Sequence, residues 1–451
     1  MAAVDSIAGS PPTRRVAAGG AAARVDTVST ARPAVGRVRI DLPLLDVPYN
    51  TGYGGRAPSM EQSLDVSAGV YDAAHLGIAR AFGRRRVLGK IAIAAFDVFG
   101  APAPLADAWL HEEWHRAVLG ARGVDSYDDV YRFDFTATSI SVSHVSDDAL
   151  AAMKRAHPAE FVRLKAAGIE GDYALVTRLE QAQFYRGDPA WHAALYWATT
   201  LNSVLYVADM GSIDADTRTM NAAEPTVAVR DISGHDFTAW VRDLFRPGEA
   251  WEARGVHPSG VGVNRYVLTT DLTPEERAYL HHEGRLAFLN FVNPNLLGMR
   301  DVTLRNPIGG GALRANLALQ HLLTSFGHTV DGQLFVQQGR TNAFVVLHAY
   351  ANHERTLPGA DAEILDYPVT LGGRAVTVSP RVALWAQPHA QQFRTHDAQA
   401  GALAALRVRM PVARWFGALA EVEGKTAGWV AGVVQLDRAV NARFGISAVV
   451  P

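Results

Sequence analysis

The chain has no cysteine among its 451 residues. Disulfides, thiolate metal sites and a cysteine nucleophile are thereby excluded, and histidine and carboxylate remain as the strong metal ligands. Neither sign of charge is in excess: 43 Lys and Arg stand against 45 Asp and Glu, for a formal net charge of -2. Without a basic footprint, nucleic acid is not expected as a partner. Convincing membrane-spanning helices are lacking as well. The stretch from Trp191 to Ala208 carries no formal charge, but Thr199, Thr200, Asn202 and Ser203 make it read as a buried helix of a large domain. No clear signal peptide stands at the start. Residues 1–36 are rich in Ala, Gly, Pro, Ser and Thr, and the segment after Arg14 and Arg15 is too weakly apolar for an export signal, so a disordered tail is expected.

What is present divides by periodicity. Ser59 followed by Gln62 forms a capping-box pattern that opens a helix running to Gly83. Further helices are expected over about 105–119, 147–156, 158–186 with a weak point at Gly168, and 189–210, the last with Asp188 as N-cap, Pro189 at the first position and Gly211 as stop. After residues 306–311 the period falls to two. Val376, Val378, Val382 and Leu384 alternate with Thr377, Ser379 and Arg381. The same holds for Leu406, Val408 and Met410 against Arg407 and Arg409, and for Val440, Phe444 and Ile446 against Asn441 and Arg443. Strand-like runs near 312–324, 332–339, 342–352, 414–423 and 427–436 bring the expectation to about eight strands in the last third of the chain. The fold expected is α+β, with a tail over 1–36, a mainly helical domain over 37–300 and an antiparallel β-barrel or sheet over 301–451. Apolar alternation with Trp385, Trp415, Phe416 and Trp429 near strand ends fits an outer-membrane barrel. A water-soluble sheet whose apolar side is covered by the helices produces the same alternation.

Residues 111–115 read H-E-E-W-H, an HExxH pattern inside the helix expected over 105–119. Two histidines four apart share a helix face and can each bring a ring nitrogen to within about 2.0 to 2.1 Å of one zinc ion. Glu112, rotated away from the ligand pair, stands where a carboxylate can serve as general base to the water that the metal activates. A catalytic zinc needs a third protein ligand. The metzincin histidine is absent, because position 121 is Ala. Glu170 is the leading candidate, on a later helix between Gly168 and Gly171, which would let two backbones approach closely, and Asp125 in the turn after the motif is the alternative. His144 and Tyr173 are candidates for stabilising a developing oxyanion. Glu113 needs no more than a solvated surface, Trp114 suits a core anchor, and the adjacent histidines of "HHEGR" at 281–285 read as a surface or interface feature.

A glutamate-bearing helix downstream of an HExxH helix resembles the gluzincin zinc metallopeptidases, over roughly residues 105–185. The resemblance implies zinc bound by His111, His115 and Glu170, with Glu112 activating water for attack on a peptide or protein substrate. The chain as a whole also resembles a group of bacterial envelope proteins in which this motif precedes a barrel-like tail. That likeness implies location in the cell envelope, at the outer membrane, with membrane lipid as a contact. Two other readings follow from the residues. One is a non-enzymatic barrel or scaffold protein with a structural or vestigial metal site. The other is a site-2-type intramembrane protease, faintly suggested by "FVNPNLLG" at 291–298, where Asn295 stands in place of the aspartate such a site needs.

Overall fold

A computed structural model describes residues 38–52, 57–83, 85–99, 107–132, 140–186, 191–208, 214, 217–299, 301–305 and 312–450. The chain begins with β1 (Val38–Val47) and then turns helical: α1 (Tyr49–Gly52), α2 (Met60–Phe82), α3 (Arg86–Phe99) and α4 (Asp107–Gly120). The short strands β2 (Tyr127–Asp128) and β3 (Val142–Ser143) pair with each other. They are followed by α5 (Asp147–Ala156), α6 (Pro158–Gln181), α7 (Ala193–Ala208), α8 (Thr217–Ala223), α9 (Asp236–Phe245) and α10 (Pro274–Leu286). Ten strands complete the chain: β4 (Val302–Arg305), β5 (Ala312–Thr324), β6 (Gly327–Gln338), β7 (Thr341–Ala351), β8 (Thr356–Leu365), β9 (Tyr367–Leu371), β10 (Arg374–Pro388), β11 (Ala398–Pro411), β12 (Phe416–Lys425) and β13 (Ala439–Val450).

The architecture is α+β, as the change of period implies. Ser59 accepts from the Gln62 N–H and the Gln62 side chain returns the bond to the Ser59 N–H, so the capping box starts α2 where it was expected. The expected helix over 147–156 matches α5, and α6 runs unbroken through Gly168 into a further helical turn ending at Arg186. Asp188, Pro189 and Gly211, like the tail over 1–36, lie outside the described residues.

The sheet has eleven strands in the order β1-β13-β12-β11-β10-β8-β7-β6-β5-β4, with β9 on β10, and every pairing is antiparallel. Three of its strands were not foreseen in the last third of the chain: β4, β8 and β9. A fourth, β1, comes from the other end of the chain and lies against β13, with Val38 opposite Val450. The segment 427–436, expected as a strand, folds back instead as a loop with Trp429, Val430, Val433 and Leu436 buried. It reads as a strand because its apolar residues face a core on several sides rather than one.

The two faces of the sheet differ sharply. Arg381, Arg407, Arg409, Glu421 and Arg443 point to one side, where Arg381 holds Asp361 at 2.5 Å, Arg409 holds Asp41 at 2.7 Å and Arg407 pairs with Glu421. Helices α2 and α6 lie on this side, with Arg178 of α6 bonding Asp65 of α2 at 3.0 Å. The sheet curls around a polar cavity of roughly 210 Å³ lined from β5, β6, β7, β8, β10, β11 and β12 as well as from these helices. The opposite side carries the apolar alternation and is open: Leu384 is 66 % exposed and Val440 69 %, and Leu347, Leu406, Phe444 and Ile446 are exposed with them. Helices α2 and α6 therefore cover the polar side, while α10 crosses the apolar side over β5 and β6. Of the four aromatic residues near strand ends, Trp415 and Phe416 are exposed, whereas Trp385 and Trp429 are buried in the core shared by sheet and helices.

That shared core joins Trp240 and Leu280 to Leu323, Phe326, Tyr350 and Trp429, and the Trp240 indole donates to the Thr324 carbonyl at 3.0 Å. Burial of several large side chains at about 1.5 to 3 kcal/mol each holds the helices to this end of the sheet. A second core, built from Trp114, Leu110, Leu164, Leu150 and Trp251, lies within the helical part and fixes α4 against α6.

Candidate metal centre

Helix α4 presents His111 and His115 on one face, and α6 crosses that face at two glycines. A Cβ built on Gly168 would lie 2.2 Å from His111 Nε2 and 2.5 Å from His115 Nε2, and one built on Gly171 would lie 2.9 Å from the Trp114 ring. Glycine inside a helix costs about 1 kcal/mol relative to alanine, so both positions exist for the close approach they allow. The third element is α9, whose first residue, Asp236, brings Oδ2 to 3.6 Å from each of the two Nε2 atoms. Ligand atoms about 2.1 Å from a tetrahedral ion stand about 3.4 Å from one another. His111, His115 and Asp236 thus have the spacing of three zinc ligands, and all three are among the residues whose donor atoms converge.

The tautomers agree with that reading. His115 Nδ1 lies 2.5 Å from the Leu164 carbonyl oxygen, which can only accept, so Nδ1 carries the proton and Nε2 presents a lone pair. His111 Nδ1 donates in the same way to Asp172 Oδ2 at 3.1 Å, and Ser203 Oγ donates to the same oxygen at 3.3 Å. The two Nε2 atoms and a carboxylate oxygen therefore face each other in a largely buried space. Acceptors held this way repel unless a cation or a proton lies between them.

The electrostatics follow. Burial opposes ionisation of Asp236, but the neighbouring His115 and His111 outweigh it and hold the carboxyl below the usual range. Burial likewise opposes charge on His111, and Asp172 and Asp236 overcome it and raise its pKa well above the ordinary value. Glu112 is shifted upward, first by burial and then, against the pull of His111, by Asp128, Asp231 and Asp236. Tyr206 of α7 donates to Asp236 Oδ2 at 3.0 Å and is raised by burial and by that carboxylate.

No family model, curated protein or solved structure matches the chain.

His111, His115 and Glu112 stand together, and the residue expected to complete them does not. Glu170 is on the opposite face of α6: its carboxylate binds Arg163 at 2.7 Å and accepts from the Gly432 N–H at 3.0 Å, beside the polar cavity. The reason is helical geometry, since Gly168 and Asp172 are four residues apart and share a face while Glu170, midway between them, points away. Asp125 is exposed, just past the turn that follows α4, and is not in the convergent group. His144 is exposed, at a φ of 64°, with Nδ1 2.8 Å from Ser143 Oγ and its ring edge-on to Tyr127. Tyr173 faces the sheet, where its hydroxyl accepts from Asn290 at 3.0 Å. Glu113 is fully buried, not solvated, and pairs with Arg116 and Tyr131. The Asn-Pro segment is remote from the histidines: Asn293 bonds Glu180 at 3.0 Å and also Tyr196.

Asp236, Asp172 and Tyr206 were missed. Asp236 opens a helix, where an acidic residue is ordinary N-terminal capping and signals nothing more. Asp172 carried the one usable signal: it is four residues after Gly168 on the helix already singled out.

Proposed function

We propose that the protein is a zinc-dependent hydrolase acting on peptide or protein, with His111, His115 and Asp236 as the metal ligands and Glu112 as general base. The observation that carries this reading is the meeting of three lone-pair donors at zinc spacing with a carboxylate one residue after the first ligand. Zinc, when bound, supplies a Lewis acid and lowers the pKa of water to about 7. The chain does the rest. Asp172 and Leu164 O fix the two imidazoles in the ligand tautomer, Tyr206 orients Asp236, and Gly168 keeps the space between them clear. Glu112 takes the proton from the attacking water and returns it to the leaving amine.

The test is elemental analysis beside hydrolysis of a mixed fluorogenic peptide set. His111→Ala and Asp236→Ala are each expected to lower the zinc content by one ion per chain and to abolish hydrolysis. Glu112→Gln is expected to keep the ion and lose about 10² to 10⁴-fold in rate. Zinc content untouched by His111→Ala would overturn the assignment. A Glu112→Gln chain as active as wild type, or a wild type that cleaves nothing while His111→Ala lowers stability, would instead favour a structural metal site in a scaffold protein.

The open apolar side of the sheet supports attachment to a lipid bilayer, and with it the reading as an outer-membrane protein of the bacterial envelope. Leu384, Val440, Leu347 and Phe444 lie on the side away from α2 and α6, where a soluble sheet would be covered. The exposed face continues on α7, where Trp197, Leu201 and Leu205 recur every four residues. Helix α7 packs on residues 287–291, and these pack on β5. No helix among the described residues is long and apolar enough to cross a membrane.

A further inference from the structure

A second group of donor atoms converges far from the first in sequence. Helix α10 carries "HHEGR", and Glu283 in it is fully buried, with Oε2 2.8 Å from His321 Nε2 and Oε1 2.9 Å from His328 Nδ1. His321 stands on β5 and His328 on β6. In the ladder His321 is opposite Val330 and His328 opposite Leu323, so the two histidines are diagonal neighbours on one face of the hairpin. That face is the apolar one: Leu317 and Leu334 share it and are exposed. Two imidazoles thus interrupt an apolar surface only where α10 brings an acid across it. Their rings are 5.4 Å apart, and the exposed His282 ring lies 6.1 Å from that of His328.

We propose that Glu283, His321 and His328 hold a second divalent transition-metal ion, with His282 closing the shell, and that this ion staples α10 to the β5–β6 hairpin. Among the described residues this is the one other group in which three such donors converge. The ligand set is two or three imidazoles and a carboxylate, which suits zinc, copper or nickel and not calcium or magnesium. In the metal-free arrangement the carboxylate accepts one N–H from each ring. A cation replaces those two protons and moves each donor apart by about half an ångström, to the roughly 3.4 Å of a tetrahedral edge. Because His282 is exposed and His328 is 12 % exposed on its side chain, the ion has a path from solvent. A shell of three or four protein donors with no catalytic base beside it is a structural site, distinct from the one on α4.

The experiment uses the full chain, stripped with chelator and dialysed against zinc chloride, with bound metal measured by elemental mass spectrometry. Wild type is expected to hold two zinc ions, His111→Ala one, and His328→Asn one; the double variant is expected to hold none. Cobalt(II) in the His111→Ala chain should give the visible absorption of a tetrahedral nitrogen–oxygen site, lost on His328→Asn. His328 is the residue changed because it is the less buried histidine, and circular dichroism of the variant checks its fold. The proposal is overturned if the His111→Ala chain binds no zinc, or if His328→Asn leaves its zinc content unchanged. Should His111→Ala lose nothing while His328→Asn loses an ion, the second site stands and the hydrolase reading falls.

Discussion

A single methyl group at position 168 is the smallest change expected to abolish the α4 centre. The Cβ of Gly168→Ala would stand 2.2 and 2.5 Å from the two Nε2 atoms, closer than any non-bonded contact allows, so the two rings would have to move apart. Zinc bound at that centre should fall at least tenfold, read by titration against a competing chelator, although alanine is the better helix former. Glu170 predicts the reverse. Its removal leaves Arg163 buried without its carboxylate, so Glu170→Ala should lower stability by about 3 to 5 kcal/mol in a urea melt. Its zinc content should match that of wild type. An equal loss of metal in Glu170→Ala and Asp236→Ala would reverse these assignments. At this scale the sequence made His111, Glu112 and His115 legible because all three sit in one local pattern. Asp236 was not legible, because the register of α9 against α4 is set by tertiary packing that no local spacing encodes.

At the scale of elements, α6 is a partition. Gly168 and Asp172 face the histidines, while Glu170, Thr177 and Arg178 face the cavity within the sheet. Toward its end Glu180 is buried, and burial, only partly offset by the Asn293 amide, pushes its pKa up to about 8. The folded state therefore keeps a proton that the unfolded chain releases near pH 4.5. Stability from this group is complete below about pH 4.5 and is lost as pH rises to about 8. Glu180→Gln keeps an acceptor for Asn293 and removes the titration. Relative to wild type it should gain on the order of 4 kcal/mol at most between pH 5 and pH 8.5, measured by denaturant melts at both values. A wild-type-like pH slope in the variant would contradict the buried-acid account. Elements with one clear period were readable: α2, α5 and β5 lie where their caps and alternation put them. β8 contains "LPGADAEIL", where proline, glycine and acidic residues hide a strand whose polar side faces the cavity.

For the whole molecule, the decisive feature is which side of the sheet α2 and α6 cover. Alternation alone fixed two faces and left open which one met solvent; the charged ladders of β10 to β13 with α2 and α6 resolve it. Lysine at outward positions, as in Leu384→Lys with Val440→Lys, should weaken recovery in flotating lipid vesicles, since each costs about 2 to 4 kcal/mol in a bilayer midplane. Unchanged flotation, or complete solubility of wild type without detergent, would count against lipid contact.

Strands β1 and β13 join the most distant segments of the sheet, with Val38 opposite Val450. Strand β1 receives its neighbour only once residues 439–450 have been made, so this pairing closes a long loop and must form late. A product terminated before Ala439 keeps that edge bare, and a bare edge recruits other copies.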